Sequence, residues 1–581
     1  MTKAPTKKKI VTRKVGNIAA NLSAFDPILQ RIFAARGITS NDELDRSLAK
    51  LPSPWLLSGM EVMVSHLITA IKNTQKIVIV ADFDADGATS CAVAIRGLSL
   101  LGAKKLAFVV PNRFEYGYGL TPEIVALVKQ QNPDVEVIVT VDNGISSIAG
   151  VKAAKDLGIK VLVTDHHLPA AELPAADAIV NPNLVDDKFP SRNIAGVGVI
   201  FYVLMALRAR LRELDYFHDF PEPNLGQLLD FVALGTVADV VRLDTVNRIF
   251  VYQGLLRMRS GRAHAGINAL MQIAKRNPAT LTPSDLGFAL APRLNAAGRM
   301  DDMSIGIQGF LSDDSAFSYN VAQQLDDFNQ KRKEVEGEMK QQATLLLEEL
   351  HPSDEHHTLS GVCLFDKDWH QGVIGILAAR IKERLHRPVI AFAPADDGEI
   401  KGSARSIEGV HIRDVLADIA AAHPHLLEKF GGHAMAAGLS LHMRDYPAFA
   451  LAFDEVVEKH LHGVDLQQKI DSDGELSAEY LNLEFAEHLQ NAATWGQGFP
   501  EPIFHGVFDV IQCRIVGGHH LKLVLRQPFA DLFIDGIAFF VDYPENWLGI
   551  RQINAAYKLD INEYRGERSL QLQVQYLEKI Q

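Results

Sequence analysis

The sequence predicts an α/β protein: a parallel sheet in the first third, a smaller α/β unit after a long helix, and an all-β C-terminal end. Three observations carry this. From about Ile77 to Pro182, short β-branched runs alternate with helical stretches. From Val321 through Leu325, Phe328, Val335, Met339, Leu346 and Leu350, apolar residues recur three, four or seven apart with charges between them. After Gly496-Gln497-Gly498-Phe499-Pro500 the pattern turns all-β.

The runs in the first region are Ile77–Val80, Ala107–Val110, Val137–Val141, Val161–Thr164 and Ala178–Val180. Continuous apolar strands separated by helices indicate a parallel sheet covered on both faces. Polar residues follow the strand ends: Asp82 and Asp84, Asn112 and Arg113, Asp142 and Asn143, Asp165 and His166, and Asn181. Ligands of open α/β sheets bind in the crevice beyond those ends, so five segments place polar groups on one rim.

The helical stretch from Ala316 to Leu350 would span roughly 50 Å if continuous, at 1.5 Å per residue, with Gly337 a local weak point. It reads as a connector between domains or as a helix packed within one. Beyond it, Val362–Phe365 and Pro388–Phe392 read as strands flanking a helix from about Val373 to Leu385, in a domain ending near His460. Phe504–Arg514, Leu521–Leu525, Asp535–Val541 and Ser569–Leu577 read as strands of a small barrel.

Composition bounds the function classes. The 581 residues exceed one ordinary core. No apolar run reaches the roughly 18 residues of a membrane span, and the best candidate, Val197–Leu207, reads as a buried helix. Met1–Lys14 is rich in Lys and Thr without a following signal-peptide core, and is expected to be a flexible tail of a cytoplasmic protein. Cys91, Cys363 and Cys513 lie far apart without a CxxC pair, which argues against disulfides or zinc and fits a reducing compartment. A net charge of −13 speaks weakly against a nucleic-acid partner, because a local basic groove can coexist with an acidic remainder.

Chemistry begins at Ala81-Asp82-Phe83-Asp84-Ala85-Asp86-Gly87, directly after a strand. Three carboxylates at alternate positions repel unless a cation neutralises them, and oxygen ligands suit Mg²⁺ or Mn²⁺. An Asp-rich helix cap is the bland alternative. An EF-hand fails, because its twelfth position would be Val93 rather than glutamate. Val141-Asp142-Asn143-Gly144 and Thr164-Asp165-His166-His167 follow the next strands, and Asp239 sits in the apolar stretch Gly235-Thr236-Val237-Ala238-Asp239-Val240-Val241. A lone histidine is more often structural, but adjacent histidines beside an aspartate at a strand end can bind metal and donate to phosphate. Asp82, Asp84, Asp86, Asp142, His166 and Asp239 offer enough ligands for two ions, and two-ion sites promote in-line attack on phosphorus.

The order DFDADG, VDNG, DHH and GTVADV resembles the signature motifs of the DHH phosphoesterase family. Pro292–Met300 (PRLNAAGRM), Trp369–Gly375 (WHQGVIG), Lys401–Ser406 (KGSARS) and Gly431–Gly438 (GGHAMAAG) resemble those of its RecJ branch, over a stretch from about residue 50 to the C-terminus. Arg242 departs from the branch, where proline is expected.

The resemblance implies a divalent-metal exonuclease that degrades single-stranded DNA 5′→3′ to 5′ mononucleotides in repair and recombination, using Mn²⁺ or Mg²⁺, as two ions. It implies metal binding by Asp84, Asp86, Asp142, His166 and Asp239, with Asp82 a further ligand or supporting acid. His167 would contact the scissile phosphate, with Asn295 and Arg299 holding phosphates nearby. Ser403, Arg405 and His433, helped by Arg113, would grip the 5′ phosphate; a surface salt bridge is the bland alternative for Arg299 and Arg405. For His370 a satisfied core histidine and a site residue stay equally open.

The implied domains are a tail and lead-in over 1–50, a DHH catalytic domain over 51–315, a connector helix over 316–350, a DHH-associated substrate-binding domain over 351–462 and an OB-fold over 463–581. The metal site would lie in the cleft between the two α/β domains. On the barrel, Arg514, His519, His520, Lys522 and Arg526, with Phe539 or Tyr564 as stacking faces, would track the strand. The expected partners are single-stranded DNA, a single-strand-binding protein and a helicase, with no membrane and a monomeric chain. Small-substrate relatives acting on oligoribonucleotides, cyclic dinucleotides or pyrophosphate generally lack the barrel. Scaffold relatives lose metal ligands, and this sequence keeps them.

Overall fold

The computed structural model describes residues 8–112, 115–116, 119–350, 359–528 and 530–580, and these form two compact units. The first comprises Met1–Gly298, Asp302–Leu325 and Lys469–Gln581; the second comprises Arg299–Asp301 and Asp326–Gln468.

The first unit opens with a strand where a flexible tail was expected: β1 is Lys9–Thr12. Ile10 and Val11 register in parallel against Ile470 and Asp471, so their backbone groups are satisfied by strand pairing. Arg36, just past the helix Pro27–Ala35, reinforces this end through bonds of 2.7 and 3.0 Å to the buried carboxylate of Asp473.

The main sheet has strands β2 (Ile77–Ala81), β3 (Leu106–Val109), β4 (Val137–Val141), β5 (Lys160–Thr164) and β6 (Ala178–Val180) in the order β3-β2-β4-β5-β6, all parallel. Every residue of β2 and β4 is buried, as a sheet covered on both faces requires. One face packs Val78, Val80, Ile138, Val161 and Val163 against Ile124, Val128 and Val151. Elsewhere in the unit, the helices Ala85–Leu100, Gly196–Glu213 and Leu229–Ala238 pack on one another. Gly196–Glu213 contains the apolar run Val197–Leu207 and is a core helix. Among the described residues, no single helix is long and apolar enough to cross a membrane.

The helix Ser315–Leu350 is continuous over 36 residues, through Gly337, which meets no neighbour. It begins in the first unit and ends in the second.

The second unit is a mixed sheet of β7 (Val362–Phe365), β8 (Val389–Pro394), β9 (Glu399–Arg405), β10 (Lys429–Gly432) and β11 (Ala436–His442), ordered β10-β11-β9-β8-β7. Only β7 and β8 are parallel, joined through the helix Ile374–Leu385. The sequence reading found those two strands and not the other three. In β9 burial alternates, but two of the inward positions are Gly402 and Ala404, and a Cβ on Gly402 would strike the Phe392 ring at 2.5 Å. Small inward residues give no apolar signal.

Returning to the first unit, β12 (Lys469–Ser472) partners β1. Then β13 (Phe504–Val516), β14 (His520–Arg526), β15 (Phe533–Ala538), β16 (Gln552–Tyr564) and β17 (Glu567–Lys579) close a five-stranded barrel. β16 escaped the sequence reading because a bulge between Ala556 and Tyr557 breaks its alternation, leaving Ala555, Ala556 and Tyr557 all buried.

Candidate metal centre

The rim of the main sheet is assembled by local chain chemistry. Asp84 is the N-cap of the helix Ala85–Leu100, its Oδ1 accepting from the N–H groups of Asp86 (2.9 Å) and Gly87 (3.0 Å). The helix-cap alternative is therefore true of Asp84, without excluding a second use of its other oxygen. A Cβ on Gly87 would lie 2.3 Å from the Asp82 carbonyl, so only glycine permits this tight turn.

Asp86 is buried at the start of another helix, Gly196–Glu213. Its Oδ2 accepts from Gly196 N–H at 2.6 Å and its Oδ1 from Val197 N–H at 3.0 Å, a geometry in which helix-terminal donors favour an anion. Gly196 is squeezed between two acids: a Cβ there would lie 2.6 Å from the Asp142 Cβ.

After β4, Asp142 adopts φ +62°, an uncommon conformation that aspartate and asparagine tolerate best. The buried Asn143 donates from Nδ2 to Val141 O (2.9 Å) and Val80 O (3.1 Å), fixing the two strand ends beside each other. Val240, next to Asp239, also has a positive φ, +60°. For a β-branched residue this is strain of about 1–3 kcal/mol, of the kind concentrated at functional sites.

His166 Nε2 lies 3.1 Å from Asp142 Oδ1, 3.5 Å from Asp239 Oδ2 and 4.0 Å from Asp86 Oδ2. Three sets have ligand atoms within 4.8 Å of one another: Asp142, His166 and His167; Asp86, His166 and Asp239; and Asp82, Asp84 and Asp142. Asp142 and His166 are each shared by two sets. All six residues expected to bind metal thus converge.

Their mutual repulsion is relieved by protons or by a bound cation. Burial, then the charge of Asp84, pushes the Asp86 carboxyl up to about 7. Burial followed by repulsion from Asp86 and Asp84 raises Asp142 and Asp239 well above the usual carboxylate range. Hard oxygen donors with one imidazole fit Mn²⁺ or Mg²⁺ rather than a thiophilic metal.

His167 is held differently. Burial disfavours its charge, but the hydrogen bond and charge of Asp165 prevail and raise it to about 9. Asp165 itself is fully buried; its Oδ1 accepts from His166 N, His167 N and His167 Nδ1, and its Oδ2 from Ile145 N. Asn181 and Asn183 donate to the carbonyls of His167 (2.9 Å) and His166 (2.6 Å). The supporting roles of Asp165, Asn143 and Asn183 were missed in the sequence reading, although each lies in or beside a polar segment that the reading noticed.

Asn295 reaches this rim from the helix Ala291–Met300, its Oδ1 accepting from Ala85 N–H at 2.8 Å. Arg299, Ser403, Arg405 and His433 belong to the second unit. Arg299 donates to the Gly372 carbonyl at 3.1 Å, and the Gly372 N–H donates to His370 Nδ1 at 3.0 Å. Arg405 Nη1 donates to Ser403 Oγ (3.0 Å) and Ala404 O (2.8 Å). Among the described residues, no carboxylate lies within salt-bridge reach of Arg405, and burial holds its guanidinium below the usual pKa. His433 is tied by its backbone to Ala436, the residue registered opposite Arg405. Arg113 lies outside the described residues.

On the barrel, Lys522 pairs with Asp535 (2.8 Å) and Arg526 with Asp509 (3.0 Å), so two of the expected strand-tracking residues carry acidic partners. Arg514 and His519 are exposed, and His520 packs edge-on against Phe539. The Tyr564 side chain lies outside the described residues. Arg242 lays its stem over Gly498 rather than entering the metal cluster.

Family models match in the same order: residues 76–236 match the DHH family, N-terminal domain, 358–459 the DHHA1 domain and 472–576 the RecJ OB domain. The chain is 51% identical over 568 residues, 96% of its length and 97% of the other, to the single-stranded-DNA-specific exonuclease RecJ of Salmonella typhimurium. The chain belongs to the RecJ family. Among solved structures it resembles RecJ of Thermus thermophilus in complex with Mn²⁺, with a TM-score of 0.80, 26% identity and coverage of 99% of this chain and 79% of that one. The same RecJ in complex with Mg²⁺ gives 0.74 and 25%, over 99% and 78%. In this RecJ-family chain, therefore, the acidic and histidine cluster has the donor chemistry for the ions those relatives carry.

Proposed function

We propose that this chain is a metal-dependent exonuclease specific for single-stranded DNA that removes 5′ mononucleotides in the 5′→3′ direction, in DNA repair and recombination. The observation that carries it is the convergence of Asp82, Asp84, Asp86, Asp142, Asp239 and His166 at the carboxyl ends of a parallel sheet, in a chain about half identical to a RecJ exonuclease.

Those six residues would hold Mn²⁺ or Mg²⁺, as two ions, with Asp142 common to two of the candidate ligand groups. Such ions, when bound, polarise a phosphate and acidify a water. The chain's own groups do the rest. His167, whose charged form Asp165 favours and whose Nδ1 it fixes, donates from Nε2 to a non-bridging oxygen of the scissile phosphate and matches the charge that develops there. Asn295, its Oδ1 occupied by Ala85 N–H, presents its amide NH₂ to a neighbouring phosphate, and Arg299 holds another. Arg405, Ser403 and His433, with Arg113, hold the terminal 5′ phosphate; an arginine fork suits its oxygens. In this reading the enzyme works as a cytoplasmic monomer, on strands that a helicase opens and a single-strand-binding protein coats.

The test is incubation of end-labelled single- and double-stranded DNA with Mn²⁺, Mg²⁺ or EDTA. Mononucleotides from the single strand alone, starting at the 5′ end and only with metal, are expected. Equal cleavage of duplex, or activity in EDTA, would overturn the reading.

A further inference from the structure

One exposed aromatic residue, on a segment packed against the helix that ends at Asp239, has no role in the chemistry above. Phe288 is 85% exposed, although the segment carrying it is otherwise largely buried: Leu286, Ala289 and Leu290 all face the core. Leu286–Leu290 is wound as a π-helix, with the Ala291 N–H donating to Leu286 O five residues back. Such wide turns are rare and occur often at functional sites.

The turn packs against the helix that ends at Asp239. A Cβ on Gly287 would lie 3.3 Å from Val237 Cγ1, on the last turn of the helix Leu229–Ala238, which Asp239 caps. Past Asp239 comes Val240, strained at φ +60° and 62% exposed. Phe288, Pro292 and Asn295 follow at four- and three-residue spacing, and none of the three is buried, whereas Leu290, Ala291 and Leu294 are. One helical face thus runs from Asn295, at the rim, to Phe288.

Seven residues of helix cover roughly 10 Å. A stacked strand, rising about 3.4 Å per nucleotide, crosses that distance in about three nucleotides, and an extended one in fewer. An aromatic ring held in solvent along a nucleic-acid path is a surface on which any base can stack.

We propose that Phe288 is a stacking platform for one base of the single-stranded substrate, two to four nucleotides from the end being removed, with Val240 as adjoining apolar surface. The proposal rests on the exonuclease reading and adds to it a residue that demands an unpaired base, because a base inside a duplex has no free face to offer.

The experiment measures the first cleavage of short single-stranded oligonucleotides, intact or carrying one abasic nucleotide at each of positions two to five in turn. Wild type on intact oligonucleotide is read first; failure there overturns the exonuclease reading itself, and this inference with it. If wild type cleaves, Phe288→Ala should lower kcat/KM by about 5- to 150-fold, the range of one lost base stack, with an unchanged melting temperature. Phe288→Trp should retain the wild-type rate. An abasic nucleotide at one position should slow wild type by a similar factor and slow Phe288→Ala no further. A Phe288→Ala enzyme as fast as wild type, or one penalised by every abasic position as wild type is, would overturn the proposal and leave Phe288 as a surface for some other contact.

Discussion

His167 Nδ1 lies 2.8 Å from Oδ1 of Asp165, a carboxylate with no solvent exposure. The pair divides the DHH motif into a buried orienting acid, a histidine turned toward the carboxylate cluster and a histidine whose charged form the acid favours. Asp165→Asn keeps the shape and removes the charge, so His167 should lose the support that lifts it to about 9. The variant should lose roughly 10-fold or more of kcat at pH 8 and clearly less at pH 6, with KM little changed. A kcat–pH profile parallel to that of wild type would show that Asp165 only builds the loop.

The carboxylate cluster makes the metal-free protein sensitive to alkali. Asp86, Asp142 and Asp239 hold protons in the folded chain at pH values where the unfolded chain has released them. The stability this contributes is complete below 3.8 and is lost as pH rises through the folded values, about 7 for Asp86. His167 adds the same sign between 6.5 and about 9. Asp165 is shifted downward, and its effect falls below 3.8. Metal-free protein should therefore melt at a lower temperature at pH 8 than at pH 6. Added Mn²⁺ should raise the melting temperature more at pH 8, because binding must displace those protons. Thermal melts with EDTA or Mn²⁺ at both pH values check this, and equal gains would contradict it.

The terminal-phosphate assignment rests on Arg405, whose guanidinium is held below its usual pKa by burial and bonds Ser403, with no carboxylate partner among the described residues. Arg405→Ala should lower activity on 5′-phosphorylated strands by one or more orders of magnitude, given about 1.5–3 kcal/mol per charge-assisted bond. Strands ending in a 5′ hydroxyl never made the contacts and should be affected much less. Arg405→Lys should recover part of the loss, keeping the charge without the fork. The check is the ratio of the two rates; an unchanged ratio would make Arg405 structural.

Much of this was legible in the sequence. Continuous runs such as Val137–Val141 announced buried parallel strands, and the acids after them announced the rim. What escaped did so for physical reasons. β9 fills its inward positions partly with Gly402 and Ala404, and the bulge at Ala556 and Tyr557 in β16 breaks the alternation on which strand reading depends. β1 draws its order from a strand more than 450 residues away, which no local pattern reveals. The metal-facing residues were readable as chemistry, but Asp165 and Asn143, which hold them, were not distinguishable from their neighbours without geometry.

Asp142, common to two of the candidate ligand groups, should serve hydrolysis and not the fold. At φ +62° an alanine there would add backbone strain, so Asp142→Asn is the cleaner substitution: it tolerates the conformation and removes only the charge. The decisive measurement is the rate of nucleotide release from single-stranded DNA by Asp142→Asn in saturating Mn²⁺. Nearly all activity should be lost in a protein whose metal-free melting temperature equals or exceeds that of wild type, since one repelling carboxylate has gone. Substantial activity in that variant would contradict this role for Asp142.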